Sequence, residues 1–275
     1  MHLRHLPSVL LLALPLTGCL TSATVITVDR SGRGTIEQTV LTSPKAPPLS
    51  LPGLGGSTGA PPSDGDFKAL AAALGPGVRF VSQRPAQASG FTGSTATFAF
   101  DDIRTVRLRQ DPNAPDDAPP FAFALVPQGE GSLLTITLDD RRMAAADAGA
   151  GAAPPPPPLF GTQAAPAAPP GAPAFGPNLA DPNVAQMVKG MVEGFRVSVA
   201  VQVQGTITST SAARVSGSRV TLLDVDAATL VANPEAPTRL QGALRPGISL
   251  SELRPQLQGL KGIVLEGPSV TVAFK

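Results

Sequence analysis

Residues 196–207 read RVSVAVQVQGTI. Val197, Val199, Val201 and Val203 fall on one side of an extended chain, and Ser198, Ala200, Gln202 and Gln204 on the other. Side chains alternate between faces along a strand, so this strict period of two marks β-structure. One apolar side and one polar side predict an antiparallel strand with one wet face. The same period recurs along the chain. Thr95–Phe100 sets Ala96, Phe98 and Phe100 together, and Leu133–Leu138 does so for Leu134, Ile136 and Leu138. The closing PSVTVAF at 268–274 aligns Val270, Val272 and Phe274. Val78–Arg84 and Phe121–Val126 are further candidate strands. Across residues 22–41, SATVITV and TIEQTVL flank DRSGRG, which predicts a hairpin turning at Gly32 and Gly34. TSTSAARVSGSRVTLLDVD at 208–226 is expected to continue the sheet through a turn near Ser216-Gly217-Ser218.

Helical spacing is confined to short segments. Asp66–Leu74 puts Phe67, Leu70 and Leu74 on one side, with Ser63 or Asp64 as cap and Gly75-Pro76 as stop. Asp181-Pro182 reads as a helix start, followed by an apolar stripe of Val184, Met187, Val188, Met191 and Val192. Core packing is the simpler use of that stripe than partner binding. Asp226 is placed to cap a short helix that stops at Asn233-Pro234. Ser249 and Glu252 form a capping box ahead of Leu253 and Leu257. The sum is an α+β fold: mostly antiparallel β-sheet, a few short amphipathic helices, and one disordered Ala/Pro-rich segment.

That segment is 144–178, where 28 of 35 residues are Ala, Pro or Gly and 154–158 are all proline. Such composition cannot bury enough apolar surface to offset the entropy of ordering the chain. It predicts a linker between an N-terminal α+β region, 19–143, and a C-terminal one, 179–275. The two regions either share one sheet or form separate domains. A second loop-like stretch runs from Ser43 to Asp64.

The N-terminus has the three parts of an export signal. Met1–Pro7 carries Arg4 and no acid, Ser8–Leu16 is SVLLLALPL, and small residues follow at Thr17 and Gly18. The apolar run is too short for a permanent membrane span, which takes about 20 residues. Residues 1–18 are therefore read as a signal peptide cut between Gly18 and Cys19. Leu16-Thr17-Gly18-Cys19 resembles the lipobox of bacterial lipoproteins. The resemblance implies that Cys19 carries diacylglycerol by a thioether and that its amine takes a further palmitate-type acyl chain. Buried methylenes contribute about 0.8 kcal/mol each, so two or three chains hold a protein on a membrane. In that class an Asp after the cysteine often marks inner-membrane retention. Leu20 stands there instead, which implies the periplasmic face of an outer membrane. An ordinary signal peptide with a chance cysteine is the alternative.

The turn Asp29-Arg30-Ser31-Gly32, between two strands just after the lipobox, is similar to the D-G-S-G turn of LppM-like envelope lipoproteins. GVRFVSQRP, TFAFDDI and FRVSVAVQVQGTI also look like stretches of such proteins. The resemblance implies a small α+β envelope domain with lipid or partner binding. It carries over no catalytic residue.

Composition excludes several chemistries. The chain has 21 basic and 20 acidic residues, and cutting after Gly18 removes Arg4 and leaves 20 of each. Neutrality argues against nucleic acid as partner, since that needs excess Lys and Arg. The chain has neither Trp nor Tyr, so stacking would rest on Phe. Both histidines, His2 and His5, lie in the signal. The mature chain then has no imidazole base, no Ser-His-Asp or Cys-His site, and no His or thiolate ligand for zinc. With one cysteine, no disulfide forms within the chain.

The remaining motifs are weak. PGLGGSTG at 52–59 lacks the Lys of a phosphate-binding loop. DPNAPDD at 111–117 has oxygens but neither the spacing nor the closing Glu of a calcium loop. Asp101-Asp102, Asp116-Asp117 and Asp139-Asp140 are adjacent pairs, which point apart on a strand. Lys189 and Glu193 have the spacing of a weak helical ion pair. No catalytic residue, metal site or cofactor is assigned, and the chain is read as a non-enzyme. The expected function is an exported, lipid-anchored envelope protein that binds a partner or organises the envelope. The alternative is a carrier of an apolar or lipid ligand, which needs an apolar cavity opening toward Cys19. A carboxylate-based hydrolase is a third class, and it needs two distant acids brought together.

Overall fold

The computed structural model describes residues 20–43, 63–108, 121–138, 194–233, 235, 236, 239 and 250–275. They build twelve strands. In chain order these are β1 Leu20–Val28, β2 Gly34–Thr42, β3 Arg79–Ala88, β4 Phe91–Phe100, β5 Phe121–Gln128 and β6 Gly131–Leu138. Then follow β7 Arg196–Val203, β8 Ile207–Thr210, β9 Val215–Ser216, β10 Arg219–Asp226, β11 Ile263–Leu265 and β12 Ser269–Phe274. The described helices are α1 Asp64–Ala73, α2 Ala227–Val231 and α3 Leu250–Leu257, with a single 3₁₀ turn at Ile103–Thr105. The α+β class holds.

The strands form two sheets. The larger has the order β11-β10-β7-β1-β2-β4-β3, with β9 on β10; the smaller has the order β5-β6-β12-β8. Each sheet takes strands from before residue 139 and from after residue 193. One apolar cluster fills the space between them. Ile26, Phe98, Phe100, Val201 and Val220 of the larger sheet join Phe121, Leu134, Ile136, Val272 and Phe274 of the smaller. α1 closes one side, and its Phe67 stacks on Phe80 of β3 with ring centroids 4.9 Å apart. Leu230, Ala236, Leu257 and Leu260 form a separate small cluster around α2 and α3.

Local chemistry accounts for the ends of these elements. The Ser63 hydroxyl accepts the Asp66 amide proton, and Asp66 accepts the Ser63 amide in return, a reciprocal cap. Asp226 accepts the Thr229 amide at the start of α2. The described helix α3 contains Pro255. Strand lengths exceed the sequence expectation: β3 runs four residues past Arg84, and β4 starts at Phe91 rather than Thr95.

One strand departs from its sequence reading. β7 is antiparallel on one side only, and its polar side is half-exposed at Ser198 and Gln202 but closed at Ala200. It lies inside the larger sheet, parallel to β1 and antiparallel to β10. Ala200, on the supposed wet side, is 0 % exposed, as is Val201 on the other. The chain is then broken at Gly205, and Ile207–Thr210 pairs with β12 in the opposite sheet. Gly205 has φ of +147°, and a Cβ there would run into the Lys275 carbonyl. What reads as one long strand is thus two, one in each sheet.

Candidate functional site at the two ends of the first strand

β1 places the two sequence features that point to function. Its first residue is Leu20, so the strand begins directly after Cys19. Its last, Val28, leads into the Asp29-Arg30-Ser31-Gly32 turn. At about 3.3 Å per residue these ends lie about 26 Å apart. Gly18 and Cys19 themselves fall outside the described residues, as do the signal peptide and 144–178.

The end next to Cys19 is set by strand register. Leu20 faces Thr42 of β2, Thr42 faces Thr92 of β4, and the β3–β4 turn at Ser89-Gly90 is level with them. Because β7 is parallel to β1, Arg196 opposite Thr21 lies at the same end. The Thr21 hydroxyl donates to the Gly194 carbonyl at 3.0 Å. Arg196 makes two parallel bonds to Asp224, at 3.0 and 2.8 Å. That bidentate bond raises the pKa of the guanidinium; partial burial opposes it, and the charges of Asp224 and Asp226 add to it.

The far end is a tied turn. Asp29 Oδ1 accepts from the Ser31 amide at 2.7 Å, the Ser31 hydroxyl at 2.6 Å and the Arg33 amide at 3.0 Å. Burial pushes the Asp29 carboxyl up, but the Ser31 hydroxyl with the Arg33, Ser31 and Gly32 amides outweighs it, and the net pKa is lowered. Gly32 is buried at φ +88°, and a Cβ there would press on Leu125. Its carbonyl accepts the Ile103 amide at 2.8 Å. Arg30 Nη1 donates to the Glu130 carbonyl at 3.1 Å, and the Ser132 hydroxyl donates to the Arg30 carbonyl at 3.0 Å. The turn therefore links the larger sheet to the β5–β6 turn of the smaller one. Its signature residues Asp29, Arg30, Ser31 and Gly32 each make a hydrogen bond within the fold.

Several other acids of the described residues also bond within the fold. Asp101 pairs with Arg79 at 3.1 Å, while its neighbour Asp102 caps the 3₁₀ turn and binds Arg104 at 2.7 Å. Sequence reasoning missed Glu266. It is 7 % exposed and its carboxylate accepts the Ala213 and Arg214 amides at 2.8–3.1 Å. The available signal was an acid directly after the apolar run Ile263–Leu265. Among the described residues no three His, Cys, Asp or Glu side chains come together as a metal would need. No helix among them is long and apolar enough to cross a membrane. The glycine-rich stretch 52–59, the acids at 111–117 and 139–140, and the stripe from Val184 to Val192 with Lys189 and Glu193 lie outside the described residues.

A small apolar cavity sits between the sheets, lined by Phe121, Ile136, Leu138, Leu222 and Val270, with Glu266 at its edge. Its volume is about 10 Å³, the size of one water. An acyl chain would enter at this place only if the sheets parted.

No protein-family model matches the chain, and no curated protein matches it. Among solved structures, the folded domain of LppM from Mycobacterium tuberculosis is similar over 94 % of this chain and 91 % of that one. The identity is 14 % and the TM-score 0.34. A likeness that slight transfers neither a fold nor a function.

Proposed function

We propose that this chain is an exported, lipid-anchored cell-envelope protein with a non-enzymatic role, in which the folded domain binds a partner or organises the envelope. The carrying observation is positional. The lipobox cysteine is followed at once by β1, a half-buried strand in the middle of the larger sheet. A lipid on Cys19 would act on the domain with no spacer between them. Asp29, Asp66, Asp102 and Asp226 are engaged in turns and caps of the fold, which supports a binding role over a catalytic one. The outer-membrane location implied by Leu20 belongs to the same proposal.

Cys19→Ala tests the anchor. The variant is expected to stay uncut or become soluble, with the loss of the diacylglycerol mass from the intact protein. Unchanged retention on washed membranes, or an unmodified Cys19 in the wild-type mass spectrum, rules the anchor out. Cross-linking and pull-down of the lipidated protein, with native mass spectrometry for bound lipid, tests partner binding against lipid carriage.

A further inference from the structure

The two ends of the β1-β2-β4-β3 wing of the larger sheet differ in charge. Near Cys19 the wing made of β1, β2, β4 and β3 is free of charged residues. Leu20–Val28 and Phe91–Phe100 hold none along their whole length, and neither do Gln38–Thr42 or Pro85–Ala88. Moving up from that end, the first charges are Arg84, level with Ala23, and Glu37, level with Val25. The charge-free rim is thus three rows of residues deep, or about 10 Å. Phe91 and Leu20 are half-buried on this rim, and Gln87, Ser89 and Thr92 are exposed. The other wing is different: Arg196, Asp224 and Asp226 gather at its lower end. At the opposite end of β1, Asp29, Arg30, Arg33, Asp101, Asp102 and Arg104 cluster around the tied turn.

We infer that the uncharged rim of the β1-β2-β4-β3 wing is a membrane-contact surface that rests in the headgroup layer, with the β3–β4 turn as its leading edge. The inference depends on the lipid anchor proposed above. Chain continuity puts the Cys19 lipid one residue from Leu20, so this end meets the bilayer first. In the headgroup layer Thr and Ser hydroxyls still find hydrogen-bond partners, whereas a charged side chain gives up more of its hydration on entering it. Surface-seated elements enter about 5–10 Å, the depth over which this rim is uncharged. The asymmetry between the wings tilts the domain toward its β3 edge and turns the charged far end to the aqueous side.

The test uses the full lipidated chain in phosphatidylcholine–phosphatidylglycerol vesicles. A thioether at Cys19 leaves no free thiol, so Ser89→Cys and Glu130→Cys each offer one site for an environment-sensitive dye. Nitroxide-labelled lipid is expected to quench the dye at 89 several-fold more than at 130, with blue-shifted emission only at 89. Equal, weak quenching at both sites on chains that float with the vesicles overturns the contact surface and leaves the anchor standing. Chains that fail to float, or that take up two dyes, overturn the anchor and the surface with it. Gln87→Cys replaces Ser89→Cys if that variant does not fold, and the same comparison then decides.

Discussion

Glu266 is a nearly buried carboxylate whose partners are backbone amides in the segment between the sheets. Two amides and one carboxylate satisfy each other there, so removing the acid strands two donors. Leaving a buried donor without a partner costs about 1–3 kcal/mol. Because Ala213 and Arg214 are themselves exposed and water can take up part of the loss, Glu266→Ala is expected to lower unfolding free energy by about 1 kcal/mol in urea melts, and Glu266→Gln, which keeps one acceptor, by less. Asp29 gives a second prediction with a defined sign. Its folded pKa is lowered by the Ser31, Gly32 and Arg33 donors against the opposing effect of burial. Its contribution is present above the unfolded carboxylate range, about pH 4, and is lost as pH falls through the lower folded value. Asp102, held down first by the Arg104 side chain, and Asp66, held down first by the Ser63 amide, have the same sign. Stability is expected to drop as pH goes from about 5 to about 3, and Asp29→Asn should flatten part of that drop in melts across the range.

At the scale of elements, alternation made most strands legible. Ala96, Phe98 and Phe100 in β4, and Val270, Val272 and Phe274 in β12, are buried as their spacing predicts. The caps at Ser63 and Asp226 were equally readable, because a cap is a contact within one helical turn. The misreading of β7 has a different origin. A parallel partner, β1, lies some 175 positions upstream, and nothing local reveals it. With β1 and β10 on either side of the strand, the small Ala200 is buried on the polar-looking side while Ser198 and Gln202 beside it stay half-exposed. The break at Gly205 makes a prediction. Gly205→Ala puts a Cβ against the Lys275 carbonyl at a φ that L-residues avoid. It is expected to destabilise by about 2 kcal/mol or more and to loosen the Thr206–Lys275 amide pair, read as faster hydrogen exchange there.

The whole molecule is held by one apolar cluster that both sheets share. Phe98 is fully buried in it, and its ring lies 5.9 Å from that of Phe80. Phe98→Ala removes a large buried side chain and should cost about 3–5 kcal/mol. Because the cluster is common to both sheets, the described strands should melt together, with matching midpoints by far-UV dichroism and by a probe on β6. Separate transitions for the two sheets would show that the cluster does not couple them. Function is set at this scale too. The end next to Cys19 and the tied turn at Asp29 are neighbours in sequence but stand a full strand apart in space. At the first end the β1-β2-β4-β3 wing is uncharged while Arg196, Asp224 and Asp226 sit on the other wing, and the far end is charged throughout; with the proposed anchor at Cys19, that asymmetry would orient the domain on a membrane.

By itself the sequence determined what is local: alternation along each strand, caps on the short helices, the glycine-assisted turn after Asp29, and the lipobox-like run ending at Cys19. These depend on side chains within a few positions of one another. Only the tertiary structure decided which strands share a sheet, that β1 and β7 run parallel, and that one apparent strand divides at Gly205. It alone showed Glu266 holding two distant amides and the Asp29 turn joining the sheets through Arg30 and Gly32. Those contacts join residues tens to hundreds of positions apart, and their partners are mostly backbone groups. Every residue carries nearly the same backbone groups, so the pairing leaves little trace in the sequence.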